Sequence, residues 1–294
     1  MSNLREIRGR INSVRSTMKI TNAMYLLASS KMKKARRSAE ATAPFFHAIQ
    51  ETMEEIMAGA GDLAETCGYF RQTEGDDKRR LFLVITSDKG LAGSYNHNIT
   101  RLAEEKIALP GADSLMFIGY SGRNYFIHRQ KDFPDITMED DYTAPSSEPV
   151  MWRATDYAAH IAQRFRDREV DEVFLVYTKL VNALASEAEC IRLLPLKTES
   201  FRIREKKRSG MVYLPSPEAV FTMSVPNYLT GVLYGAMVES YAAEQNARMQ
   251  AMDSATENAR EMLQDLSLLY NRVRQAAITQ ELTEVVGGAQ ARER

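Results

Sequence analysis

The stretch of this 294-residue chain best suited to chemistry is Ser87-Asp-Lys-Gly-Leu-Ala-Gly93, which lies between an apolar run and an amphipathic one. A glycine-bearing turn leading from a strand into a helix is where backbone N–H groups can cradle a phosphate. The stretch is neither G-x-x-x-x-G-K-[ST] nor G-x-G-x-x-G, so it reads as a tight structural turn, with a phosphate site as the alternative. His47, His97, His128 and His160 show no H-x-x-x-H or H-E-x-x-H spacing, and Cys67 and Cys190 stand apart from each other. No metal site is therefore expected. A G-x-S-x-G nucleophile elbow is missing as well. These residues assemble no catalytic constellation, and no cofactor is expected.

The elements that would position any site are more informative. Arg10 to Ala43 and Ala236 to Val286 contain no glycine or proline. As a helix, the second run alone would be a rod of roughly 75 Å. Leu4, Ile7, Ile11, Val14, Met18, Thr21, Tyr25, Ala28, Met32, Ala35 and Ala39 recur at alternating spacings of three and four. That is the seam of a left-handed coiled coil. Met252, Ala255, Ala259, Met262, Leu266, Leu269, Val273 and Ala276 repeat the pattern near the other end, after a stretch of small residues from Ala242 to Ser254. The spacing predicts an intramolecular antiparallel coiled coil, with a parallel homodimer as the alternative. Asn3 with Glu6 suggests a capping box, Pro44 a kink or restart, Pro226 a first helical turn, and Gly287-Gly288 a helix end.

Between the rods the period changes to that of strands. Leu81–Thr86, Ser114–Tyr120, Val173–Tyr177 and Glu187–Leu196 are the expected strands, the last antiparallel, with helices over Asn98–Leu109 and Val150–Arg168. Lys131 to Glu148 reads as loop, and Lys206-Lys-Arg208 with Gly210 as the exit toward the second rod. The predicted fold class is mixed α+β and α/β: a long antiparallel coiled coil of N- and C-terminal helices plus a central α/β, Rossmann-like domain. The expected parts are a shaft helix over 1–60, a linker over 61–78, the α/β foot over 79–210, a linker over 211–225 and the second shaft helix over 226–294.

Composition sets the class: 44% apolar with a net charge of −1. Two cysteines without C-x-x-C point to a reducing compartment. The longest apolar stretches are too short to span a bilayer. The Arg-rich start superficially suits a transit peptide, but its heptad continues too far, so it is read as mature protein. Arg5, Arg8, Arg10, Arg15, Lys19, Lys31, Lys33, Lys34, Arg36 and Arg37 face only Glu6 and Glu40 in the first forty residues. A solvated face, a nucleic-acid patch and a surface for an acidic protein partner all fit that imbalance.

Ile20-Thr-Asn-Ala-Met24 with Ala28-Ser-Ser-Lys-Met-Lys33 resembles the N-terminal helix of the gamma subunits of F-type ATP synthases. Ala247-Arg-Met-Gln-Ala-Met252, Ala255-Thr-Glu-Asn258, Tyr270-Asn-Arg-Val-Arg-Gln-Ala276 and Ile278-Thr-Gln-Glu-Leu-Thr-Glu-Val-Val-Gly287 resemble their C-terminal helix. The first strand with Ser87 to Gly93 resembles the start of their globular domain. The resemblance runs end to end. It implies a central-stalk rotor that performs no bond chemistry and couples ion-driven rotation of a c-ring to ATP synthesis or hydrolysis. The implied partners are alpha and beta subunits (3:3:1), epsilon and the c-ring, with no nucleic acid and with membrane association only through the Fo sector. The implied location is the cytoplasmic face of a bacterial membrane.

The resemblance also carries over individual positions. Met24, Arg248, Gln275, Thr279 and Glu281 match beta-subunit contacts, and Lys31, Met32, Lys33, Lys34 and Tyr213 match epsilon or c-ring contacts. Met32 is also a seam residue, and Tyr213 could instead anchor a loop. Ser94, Asn22 and Tyr25 depart from the family pattern, and the dithiol insertion of chloroplast versions is missing. Two rivals remain: a coiled-coil scaffold or nucleic-acid binder, and an enzyme using the α/β body.

Overall fold

The structure is a computed structural model that describes residues 2–60, 62–75, 78–108, 112–182, 185–201 and 212–292. It divides into two compact units. One, the helical unit, comprises Met1–Ser29 with Arg248–Arg294; the other, the body, is Ser30–Ala247. The expected exit at Lys206 to Gly210 lies outside the described residues.

The body is built on a five-stranded sheet of order β3-β2-β1-β4-β5. Its strands are β1 (Arg80–Ile85), β2 (Ala112–Ile118), β3 (Thr137–Met138), β4 (Glu172–Leu180) and β5 (Ser186–Leu194). β1 pairs in parallel with both β2 and β4, β2 pairs in parallel with β3, and β5 closes antiparallel on β4. β1 is central and buried on both faces, which is why it reads as an unbroken apolar run rather than an alternation. Leu81, Leu83 and Ile85 point into one core, Phe82 and Val84 into the other.

Helices cover both faces. α3 (Tyr95–Ile107) packs Ile99, Ala103 and Ile107 on one side together with Phe126 of α4 (Tyr120–His128). α5 (Met151–Arg166) buries Ala154, Tyr157, Ala158, Ile161, Ala162 and Phe165 on the other, at the three-and-four spacing of one helical face. Parts of the terminal helices, α1 (Ser2–Gly59) and α6 (Pro217–Arg292), complete that second core through Met53, Ile56, Phe221, Leu229 and Leu233. Within the body these two helices run antiparallel. Ser38 meets Tyr234 at 2.9 Å between hydroxyls, and further along α1 the Phe46 ring leaves no room for a Cβ on Gly231. The polar stretch from Glu65 is tied in as well. After the short α2 (Leu63–Thr66), Cys67, Tyr69 and Phe70 are buried, and Tyr69 stacks on Phe165 at 6.2 Å.

Several local expectations give way to tertiary packing. Pro44 lies inside α1 and Pro226 inside α6; neither starts nor interrupts its helix. An interior proline costs ~3 kcal/mol, but Phe221, Val225 and Leu229 are fully buried on both sides of Pro226 and hold the helix together. The real start of α6 is Ser216-Pro217-Glu218. The Ala219 N–H donates to Ser216 Oγ at 3.1 Å, with proline in the first turn where it has no hydrogen bond to lose. α1 begins at Ser2, so Asn3 is not its cap, and Glu6 pairs forward with Arg10 at 2.9 Å. α6 continues through Gly287-Gly288 to Arg292. Helical glycine costs only about 1 kcal/mol each, and a long helix already nucleated carries across it.

β2 stops at Ile118 rather than Tyr120, because Gly119 at φ 98° turns the chain into α4. A Cβ at Gly119 would lie 2.1 Å from the Thr86 carbonyl oxygen, so only glycine fits. The expected loop over Lys131 to Glu148 contains the short edge strand β3.

Candidate functional site

In the helical unit the seam of α1 matches the heptad at every position: Leu4, Ile7, Ile11, Val14, Met18, Thr21, Tyr25 and Ala28 are buried or half-buried, and most residues between them are exposed. The α6 seam matches at Met252, Ala255, Ala259, Leu266 and Val273, but Met262, Leu269 and Ala276 are exposed. Thr256, Leu263, Tyr270 and Ala277 face inward as well. A heptad fixes one set of positions and leaves the other free to fall three or four residues later; α6 takes the longer step. Of the residues expected there, Met262 is left 52% exposed and Leu269 44%. With Leu268, Ile278, Leu282, Val285 and Val286 they give α6 an exposed apolar surface. Thr21 and Thr256 meet inside the seam at 2.7 Å between hydroxyl oxygens.

The expected contact residues fall on these helices without converging on one pocket. Met24 and Arg248 are half-buried, whereas Gln275, Thr279 and Glu281 are exposed. The Thr279 hydroxyl donates to the Gln275 carbonyl one turn earlier. Arg5, Arg8, Arg15 and Lys19 are exposed, with no ion-pair partner among the described residues. In the body, Lys31, Lys33 and Lys34 are exposed, and Met32 packs against the larger core. Lys31 and Lys34 rim a cavity of about 250 Å³ floored by Val150, Val238 and Tyr241. Tyr213 also packs on the core, its hydroxyl 3.5 Å from a carboxylate oxygen of Glu55.

Open α/β sheets bind ligands at the carboxyl ends of their strands, where the strand order reverses. Here that place lies between β1 and β4, and the chain fills it itself. β4 runs on past its last partner in β1, so the N–H groups of Thr178 and Leu180 have no strand beside them. α6 supplies the acceptors: Ser240 Oγ at 3.1 Å and Glu239 Oε1 at 3.2 Å. Burial, followed by the nearby Glu189, pushes the Glu239 carboxyl up; the Leu180 N–H and Lys179 act against them.

The turn after β1 is similarly self-satisfied. Asp88 accepts from the N–H groups of Ser146 and Ser147, each at 2.9 Å, and from Tyr120 at 3.4 Å. Ser87 is buried and hydrogen-bonds Asn96. Ala92 and Tyr95 pack on Ala243 of α6, so the small residues of that helix admit the turn as a neighbour. Asp88 of the turn is thus committed to donors from two other loops, and the turn is tied into the body. The Ser240, Glu239 and Asp88 contacts were missed from sequence. The available signal was a run of polar residues, Glu239-Ser240 and Glu244-Gln-Asn246, inside an otherwise apolar helix.

A family model described as ATP synthase matches residues 3–291. The chain belongs to the ATP synthase gamma-chain family. It is 41% identical to the ATP synthase gamma chain of Acetivibrio thermocellus, with 99% of each chain covered. It is 39% identical to the sodium-ion-specific gamma chain of Acetobacterium woodii over 98% of each. Among solved structures it is similar to a chain of the central stalk and c-ring of Tetrahymena thermophila mitochondrial ATP synthase. That match has a TM-score of 0.60 and 25% identity, covering 80% of this chain and 99% of that one. A chain of the Euglena gracilis mitochondrial enzyme shares the fold, with a TM-score of 0.68 at 16% identity, over 99% and 94% of the two chains. Membership of this family leaves the scaffold and nucleic-acid readings without support. Among the described residues, no helix is long and apolar enough to cross a membrane.

Proposed function

We propose that the chain is the central-stalk rotor of an F-type ATP synthase, one copy within a hexamer of three alpha and three beta subunits. The observation that carries this is the end-to-end family match, on a chain whose terminal helices pair and expose unlike side chains. Around the helical unit lie an apolar stripe at Met262 and Leu269, exposed cations at Arg8 and Arg15, and polar groups at Gln275 and Glu281. Three identical beta subunits meeting such a surface face different chemistry at any instant. Each is biased toward a different conformation and ligand affinity, and rotation permutes the bias. The shaft does no bond chemistry; its contribution is the difference in contact energy between orientations.

In this reading Met24, Arg248, Gln275, Thr279 and Glu281 contact the beta subunits. Lys31, Met32, Lys33, Lys34 and Tyr213 lie where epsilon and the c-ring dock. The complex sits on the cytoplasmic face of a bacterial membrane, held there by its membrane sector. Co-expression with cognate alpha and beta subunits tests the reading. The expected product is a 3:3:1 complex by mass whose ATP turnover falls severalfold in Arg248→Ala or Gln275→Ala. Recovery of the chain as a homodimer outside any hexamer would refute it.

A further inference from the structure

We propose that the cavity rimmed by Lys31 and Lys34 is a binding site for a small amphipathic carboxylate, an apolar body the size of two fused rings carrying one negative charge. The site belongs to the body alone and goes beyond the rotor reading. On α1, Lys31, Lys34, Ala35 and Ser38 recur at the spacing of one helical face, and on α6 Val238 and Tyr241 do the same. The third wall is the chain leading into α5. Pro149 disfavours helical backbone at Glu148, and Val150 follows in extended conformation at φ −123° and ψ 137°. This wall is pinned. Asp88 accepts from the N–H groups of Ser146 and Ser147, each at 2.9 Å, and Arg153 donates to the Pro145 carbonyl at 2.8 Å. The space is therefore preformed, as small-molecule sites commonly are.

Size and charge define the occupant. The cavity holds about 250 Å³. Drug-sized ligands need roughly 300–1,000 Å³, whereas an apolar cavity of about 150 Å³ takes one benzene ring, so two fused rings are the match. Ala35, Val238 and Tyr241, all buried, offer such rings an apolar face. The open side is charged. Lys31, Lys34 and Glu148 are exposed, and none has an ion-pair partner among the described residues. Two lysines against one glutamate leave the rim with one positive charge, which a single carboxylate balances. A phosphate dianion would repel Glu148 twice as strongly and leave the apolar face unused. Ser38 adds a donor. It shares a hydrogen bond of 2.9 Å with the Tyr234 hydroxyl, and when Tyr234 donates, the Ser38 proton is left for the ligand.

Isothermal titration of the full chain with naphthoate tests the site. Acetate supplies the charged head without the rings, and naphthol the rings without the charge at neutral pH. One-to-one binding of naphthoate is expected, with naphthol roughly tenfold weaker and acetate giving no saturable heat. Lys31→Gln/Lys34→Gln is expected to weaken naphthoate about tenfold and Glu148→Gln to tighten it severalfold. All three side chains are exposed, so these variants keep the fold. Val150→Phe fills the cavity and is expected to abolish binding, with a thermal midpoint in the absence of naphthoate that shows it folded. No saturable binding to the parent overturns the proposal. So does naphthoate affinity that is the same in the parent, the lysine pair and Glu148→Gln.

Discussion

At the scale of residues, two carboxylates do most to hold the turn after β1 and α6 where they are. Asp88 gathers N–H groups from the start of α4 and from the loop before α5. Replacing it by alanine leaves those donors without an acceptor, which is expected to lower stability by roughly 1–3 kcal/mol, read from the denaturant midpoint. Glu239 acts in the opposite sense. Burial raises its folded pKa, so the folded state holds the proton more tightly than the unfolded chain does. Stability from this group is therefore greatest at low pH and falls as pH rises from the unfolded value of 4.5 through the raised folded value. Glu239→Gln keeps the acceptor for the Leu180 N–H and removes the charge. The variant is expected to melt higher than the parent at pH 8, with the gap closing toward pH 4.5; an equal gap at both would mean the charge is not the cause.

At the scale of elements, the sequence was most legible where one rule acted alone. The α1 heptad was readable at every seam position because a long run without glycine or proline admits one apolar stripe. α6 was half-readable, since Met262 and Leu269 are as apolar as Leu263 and Tyr270 and nothing local chooses between them. The prolines were misread for a related reason. Pro226 has the local signature of a helix start, but burial of Phe221 and Val225 extends the helix back to Pro217. Ser216→Ala removes the side-chain acceptor at that true start and is expected to cost about 1 kcal/mol, seen as a lower thermal midpoint. If Ser216→Ala leaves the midpoint unchanged, α6 does not depend on that cap.

At the scale of the whole molecule, the family was legible from short motifs on the terminal helices, whereas the closure of the sheet's ligand crevice was not. That closure pairs β4 with side chains some sixty positions later, and no local pattern announces such a partner. The seam pair lies further apart still: Thr21 and Thr256 are separated by 235 residues. During synthesis at ~5–20 residues per second, the first helix emerges on the order of 10–50 s before its partner exists. For that interval Ile7, Ile11, Val14 and Met18 have no second strand of the seam to lie against, and the α/β body is complete before the coil can zip. The nascent chain is therefore most exposed to mispairing at its oldest end, and a chaperone bound to that amphipathic stripe would do the most good there.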